Sequence, residues 1–171
     1  KIELFSFIEK YNVNIMLLQE TKLNPNESLK MMNFKTYRTD RLRHRGGGTA
    51  ILIDKNINHT EYIHPPPNGM ESTAITLKTS DFNNVNIFSC YNPPANSIDQ
   101  QTFTNLFHPT RATILAGDMN AKNPLWNSRV TNLNGKKLES LANAANIHVD
   151  APIESTYSPP HLGRNEDVLD I

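Results

Sequence analysis

Apolar residues in this chain come in short bursts, and the spacing inside each burst changes along its length. Ile2, Leu4, Phe5, Phe7 and Ile8 fall mostly on one face at helical spacing, which predicts an amphipathic helix over residues 1–11. Asn14 to Glu20 reads as a short buried strand that ends in Gln-Glu-Thr. After a polar stretch containing Pro25, Phe34 to Thr39 reads as a strand. Gly46-Gly47-Gly48 then leads into the β-rich run Thr49 to Ile53. Ser72 to Lys78 alternates apolar and polar residues, and a turn at Asp81–Asn84 returns the chain into Val85 to Tyr91, which predicts an antiparallel hairpin. Asn92-Pro93-Pro94 closes its second arm, because proline cannot continue the ladder.

Ile98, Phe103, Leu106 and Phe107 suggest a helix before the strand Ile114 to Asp118. A long polar loop, Asn120 to Asn134, contains Trp126, read as a packing anchor in preference to a base-stacking residue. Gly135 to Asn146 is a second helix, with Leu138, Leu141, Ala142 and Ala145 on its inner face. Hairpins mixed with βα units predict an α/β domain of mixed sheets flanked by helices. The chain opens inside a helical pattern and stops in what reads as a strand, Asp167 to Ile171, so both ends are expected to be cuts in something longer.

Composition narrows the class. The 171 residues are 37% hydrophobic and 20% charged, enough for one domain with a core and unlike a disordered or membrane chain. Formal net charge is zero, so bulk electrostatics neither demands nor forbids a polyanionic partner. Cys90 is the single cysteine and forms no internal disulfide, which favours a reducing compartment. No targeting signal is visible, and an intracellular location is expected.

The candidate chemistry lies at strand ends. Glu20 follows Met16-Leu17-Leu18, Tyr91 follows Ile87-Phe88, and Asp118 and Asn120 follow Ile114-Leu115-Ala116. In open α/β sheets that edge is where ligands sit. If the strands lie side by side, two carboxylates, an amide and a phenol converge. Close carboxylates repel unless a cation lies between them, and an oxygen-only set suits Mg²⁺. The bland alternatives are a solvated Glu20, a rim tyrosine at 91, and a turn at Gly117–Asn120. No zinc spacing, nucleophile elbow or Walker loop is present, so Gly46–Gly48 is expected to permit close backbone packing. Lys35, Arg38, Arg41, Arg43 and Arg45 form the densest basic stretch, either a solvated loop or a phosphate-backbone contact through Arg41 and Arg43. Asp167 reads as a turn residue, whereas Asp170 alternates inward and needs a partner.

Gln19-Glu20-Thr21, Arg45 to Ala50, Tyr91-Asn92-Pro93-Pro94, Gly117 to Ala121 and Asp167 to Asp170 occur in an order that resembles the endonuclease/exonuclease/phosphatase superfamily. Asn120-Ala121-Lys122 with Trp126 is most similar to the apurinic-type endonuclease domains of jockey-like non-LTR retrotransposons. The resemblance covers nearly the whole chain. It implies a four-layer α/β sandwich of two mixed β-sheets flanked by helices, DNase I-like and truncated at both ends. It implies a domain over residues 1–171 that lacks the family's first, Asn-bearing strand and its C-terminal Ser-Asp-His segment.

The same resemblance implies Mg²⁺ (or Mn²⁺) as cofactor, held by Glu20. Asp118 would orient or deprotonate the attacking water, Asn120 would hold the scissile phosphate, and Tyr91 would contact phosphate or stabilise charge. Asp170 would be a buried acid orienting a histidine. DNA would be the substrate, nicked in the nucleus, with a reverse transcriptase domain in the same polyprotein. None of the six histidines lies in the matching context, so the fragment alone is expected to be inactive or nearly so. The rival expectations are a superfamily enzyme acting on a small phosphoester, or a non-catalytic truncated relic.

Overall fold

The computed structural model describes residues 2–42, 46–65, 68–80, 84–107, 111–158 and 166–171, with backbone alone at Ile2 and Thr102. Helix α1 (Ile2–Tyr11) leads into β1 (Ile15–Gln19), followed by β2 (Phe34–Thr39), β3 (Thr49–Asp54), β4 (His59–Glu61), β5 (Glu71–Leu77) and β6 (Val85–Tyr91). Helix α2 (Gln100–Thr104), β7 (Ala112–Asp118), a 3-10 turn at Pro124–Trp126 and helix α3 (Leu133–Ala145) complete the order.

One sheet has the order β1-β3-β2 and is antiparallel throughout. The other has the order β4-β5-β6-β7; its first three strands are antiparallel and β6–β7 is parallel. The strand β3 is buried along both faces from Thr49 to Ile53. That burial explains why its sequence is an unbroken apolar run rather than an alternating one.

The two sheets face each other across Tyr37, Ile51, Ile53, Ile75 and Ile87. On the far side of the four-stranded sheet, Phe88, Cys90 and Ala74 pack against Phe103, Leu106, Leu138 and Leu141 from the α2 and α3 regions. Ala50 and Leu52, on the far side of β3, are likewise closed to solvent. This is the expected α/β sandwich of two sheets with helices, except that only the four-stranded sheet is mixed; the three-stranded one, which has no parallel crossover, is antiparallel throughout. No helix among the described residues is long and apolar enough to cross a membrane.

Local chemistry sets the boundaries. Asn132 caps α3 by accepting the Gly135 N–H at 2.7 Å, and Asn146 ends it in the left-handed region at φ 51°. The helix expected near Ile98–Phe107 is shorter than its apolar pattern: beyond Thr104 the chain tightens, with Leu106 N–H donating to the Phe103 carbonyl at 3.0 Å. The segment 167–171 lies alongside β7 through an Asp118–Asp170 bridge and paired bonds between Gly117 and Ile171 at 2.9 and 3.1 Å. β4 is a three-residue addition that sequence pattern did not predict.

The parallel pair matters most for function. Its register sets Tyr91 directly beside Asp118, so two strands finish level at one sheet edge.

Candidate active site

Glu20 stands just past β1, at φ 49°, and Lys22 is also left-handed at φ 54°. Their reversals fold the chain onto the glycine triplet: Thr21 N–H donates to the Gly48 carbonyl at 3.2 Å and Lys22 N–H to the Gly47 carbonyl at 2.9 Å. A Cβ on Gly48, at φ +84°, would sit 2.5 Å from the Thr21 hydroxyl oxygen. Gly47 and Gly48 permit close packing, as expected, whereas nothing lies within 4 Å of where a Cβ on Gly46 would stand.

The Tyr91 hydroxyl donates to Glu20 Oε1 at 2.7 Å, and Lys22 Nζ lies 3.1 Å from Oε2. The Tyr91 bond, more than partial burial can oppose, holds the Glu20 carboxyl below its ordinary range, with help from Lys22 and Arg41. Burial, and then the bond to Glu20, pushes the Tyr91 phenol up, so it remains a protonated donor.

Asp118 ends β7. The residue before it is Gly117, at φ +149°, and a Cβ there would lie 1.9 Å from the Cys90 carbonyl oxygen. Only glycine lets β7 approach β6 this closely just before the site. Asn92 N–H donates to the Asp118 carbonyl at 2.8 Å, and Asn120 N–H donates to Asp118 Oδ1 at 2.9 Å. The Asn120 amide donates to the Asn92 carbonyl at 3.0 Å, and the Asn92 amide to the Met119 carbonyl at 3.1 Å. Asn92 thereby ties the two strand ends together, a role its sequence position did not reveal.

Burial raises the Asp118 carboxyl to about 6; the Asn120 N–H opposes this, while the charges of Asp170 and Glu20 add to it. Among the described residues no lysine or arginine forms an ion pair with Asp118. Asp118, half-buried beside the charges of Glu20 and Asp170 and without a countercharge, is in an environment a divalent cation would relieve. The described residues hold no cluster of three or more histidine, cysteine or acidic side chains able to cage an ion.

Two acids exchange expected places. Asp170, expected to be buried, is half-buried beside Asp118, its N–H donating to Thr156 Oγ1 at 3.2 Å. Asp167, expected to be a turn residue, is the buried one. Its side chain is 2% exposed, pairs with Lys122 Nζ at 2.7 Å and accepts the N–H groups of Arg129 at 2.9 Å and Val168 at 3.1 Å. Burial would push this carboxyl up, but Lys122 and those donors hold it below its ordinary range. A partner 45 residues away in sequence leaves no local signal.

Arg41 is fixed rather than free on the surface. It pairs with Glu71 through Nε, and its guanidinium lies 5.7 Å from the Tyr91 ring centroid. Glu71 also accepts the Gly48 N–H at 2.6 Å, an organising role that sequence reasoning missed. Arg43 lies outside the described residues. Arg38 is taken up by Asp40 at 3.0 Å. Trp126 is 3% exposed and donates to the Ala121 carbonyl at 2.7 Å, so it anchors the loop after Asn120.

The fold and this edge define a DNase I-like α/β sandwich. The profile of the family described as endonuclease-reverse transcriptase matches residues 85–171. The chain is 24% identical over 157 residues to the RNA-directed DNA polymerase from mobile element jockey of Drosophila funebris, covering 91% of the chain and 17% of that protein. It is 25% identical over 152 residues to the probable RNA-directed DNA polymerase from transposon X-element of Drosophila melanogaster, covering 87% of the chain and 16% of that protein. The chain therefore spans about a sixth of the length of these curated relatives. Among solved structures, the endonuclease domain of TRAS1, a telomere-specific non-LTR retrotransposon, superposes with a TM-score of 0.79 at 17% identity, over 99% of this chain and 76% of that one. The chain belongs to the endonuclease-reverse transcriptase family, and its fold is that of a retrotransposon endonuclease domain.

Proposed function

We propose that residues 1–171 are part of the endonuclease domain of a non-LTR retrotransposon polyprotein, which hydrolyses a phosphodiester in target DNA with Mg²⁺ or Mn²⁺. The observation that carries this reading is the level ending of β6 and β7. It sets Tyr91 beside Asp118 while the Tyr91 hydroxyl reaches Glu20 at 2.7 Å. In this reading a reverse transcriptase in the same polyprotein uses the nick, and the domain acts in the nucleus on chromosomal DNA.

Glu20 is the carboxylate that holds the ion, kept ionised by Tyr91 and Lys22. When bound, the ion offsets charge developing on the phosphoryl oxygens. Asp118, titrating near 6, is ionised at neutral pH yet basic enough to orient and deprotonate a water. Asn120, locked by Asn92 and by its own N–H to Asp118, presents its amide to the scissile phosphate. Tyr91 is a protonated phenol whose one O–H is given to Glu20, so it donates to a phosphoryl oxygen only by turning away from that carboxylate, and Arg41 stands over its ring as a fixed cation for the phosphate backbone. Asp170, across the bridge from Asp118, is the acid for fixing a histidine's tautomer.

The test is relaxation of supercoiled plasmid, using the chain alone and the chain extended by whatever its reading frame encodes on either side. Mg²⁺-dependent open circles are expected from the extended chain, and few or none from residues 1–171 alone. Glu20→Gln and Asp118→Asn should each slow their formation by about 10²-fold or more. Hydrolysis of a small phosphoester with intact plasmid would move the reading to the phosphatase branch of the superfamily, and nicking unaffected by both substitutions would end it.

A further inference from the structure

The loop after Asn120 is built like a platform. Residues 123, 126 and 128 point inward: Asn123 accepts the Leu125 N–H at 3.0 Å, Trp126 holds the Ala121 carbonyl, and Ser128 Oγ donates to the Val168 carbonyl at 2.9 Å. Asn132 closes the loop on its own start. It accepts the Lys122 N–H at 2.9 Å and donates to the Asn120 carbonyl at 2.8 Å, so both ends of the loop meet at Asn120. The residues left outside include Leu125 at 72% exposure, Val130 at 41% and Leu133 at 63%. These three large apolar side chains are left in solvent around a loop braced by buried anchors. Charge adds a direction. From Asn120 to Leu138 the sequence has Lys122, Arg129, Lys136 and Lys137, and the carboxylate that follows, Glu139, accepts the Asn123 amide at 2.8 Å. Lys122 is spent on Asp167, but Arg129 and Lys136 are exposed.

We propose that this loop and the start of α3 form a docking surface for duplex DNA, with Leu125 and Val130 pressed against sugars and base edges while Arg129 and Lys136 meet phosphates. The inference rests on the nuclease reading and extends it: the surface fixes the strand entering the Asn120 site by apolar contact as well as by charge. Apolar side chains that wedge against base steps are a recurrent way for proteins to grip a duplex. Rigidity of the loop means that the contact costs little ordering on binding.

The experiment is fluorescence anisotropy of a short labelled duplex with the 171-residue chain across a salt series, with Ca²⁺ replacing Mg²⁺ to hold cleavage back. Leu125→Ala is expected to weaken binding about tenfold, as for loss of one largely buried leucine contact. Its log affinity against log salt should keep the wild-type slope, and Leu125→Met should bind like wild type. Arg129→Ala should instead flatten the slope by about 0.9. Far-UV circular dichroism and Mn²⁺ binding serve as folding controls, since neither residue touches Glu20 or Asp118. Wild-type binding that Leu125→Ala and Val130→Ala leave intact overturns this inference alone. So does a pattern in which Leu125→Ala abolishes self-association and spares DNA binding. A wild-type chain with no affinity for duplex at all overturns the nuclease reading together with it.

Discussion

Replacing Asp118 by asparagine should make the protein more stable while removing its chemistry. The carboxyl titrates near 6 in the folded chain against an ordinary 3.8, because burial and the neighbouring charges of Asp170 and Glu20 disfavour its anion. The sign follows from linkage. A carboxyl whose folded value is raised favours the native state below its unfolded value and loses that advantage as pH rises through the folded one. The penalty therefore develops between about pH 4 and pH 6 and is complete above that range. At 1.36 kcal/mol for each tenfold change in proton affinity, the ceiling is about 3 kcal/mol, and partial solvent access reduces it to about 1–3 kcal/mol. Asparagine keeps an oxygen to accept the Asn120 N–H and carries no charge. For a chain of this size the gain corresponds to a Tm rise of roughly 3–10 °C. Thermal melts in metal-free buffer at pH 7.5 and pH 4 check it: the variant should melt higher at 7.5, and the gap should close at 4. Mg²⁺ should raise the Tm of both proteins, since Glu20 is retained, and should raise that of wild type more because it also offsets the Asp118 charge. A variant that melts at or below wild type at pH 7.5 would refute the account of a carboxylate held without a countercharge.

Tyr91→Phe removes the largest influence that keeps Glu20 acidic, so Mn²⁺ affinity measured by titration should fall several-fold and its loss on acidification should begin at higher pH. Lys122→Ala leaves Asp167 buried without its cation and should cost about 3 kcal/mol in urea denaturation, whereas removing both charges with Lys122→Met and Asp167→Leu should recover much of that. Arg41→Ala should flatten the salt dependence of DNA binding by about 0.9 in the log–log slope, and an unchanged slope would exclude it as a phosphate contact. Gly117→Ala drives a Cβ into the Cys90 carbonyl and should abolish soluble folded protein, read from expression and circular dichroism.

Pattern reveals those parts of this fold whose cause is local. The strands β2, β3, β5 and β6 stand where alternation or an unbroken apolar run predicts them, and the strand-end polar residues at 20, 91, 118 and 120 do converge. β4 was missed because His59–Glu61 carries no apolar pattern and exists only through pairing with Ile75–Leu77. The burial of Asp167, the fixing of Arg41 by Glu71 and the bracing by Asn92 were missed for a related reason. Each depends on a partner 26 or more residues away, brought close by the packing of two sheets rather than by any local spacing. Asp170 lies beside Asp118, which neither its motif nor alternation specified, and is more open than alternation implied, because it joins β7 by an isolated bridge at the end of the strand.

The lone indole of this chain has a practical consequence. Trp126 is the only tryptophan, and it is buried beneath the loop that returns to Asn120, donating to the Ala121 carbonyl. Intrinsic emission therefore originates from a single point a few residues from the reacting edge. A red shift would announce that this loop has opened, and an unchanged spectrum during nucleic-acid binding would mean that the scaffold receives its substrate without yielding.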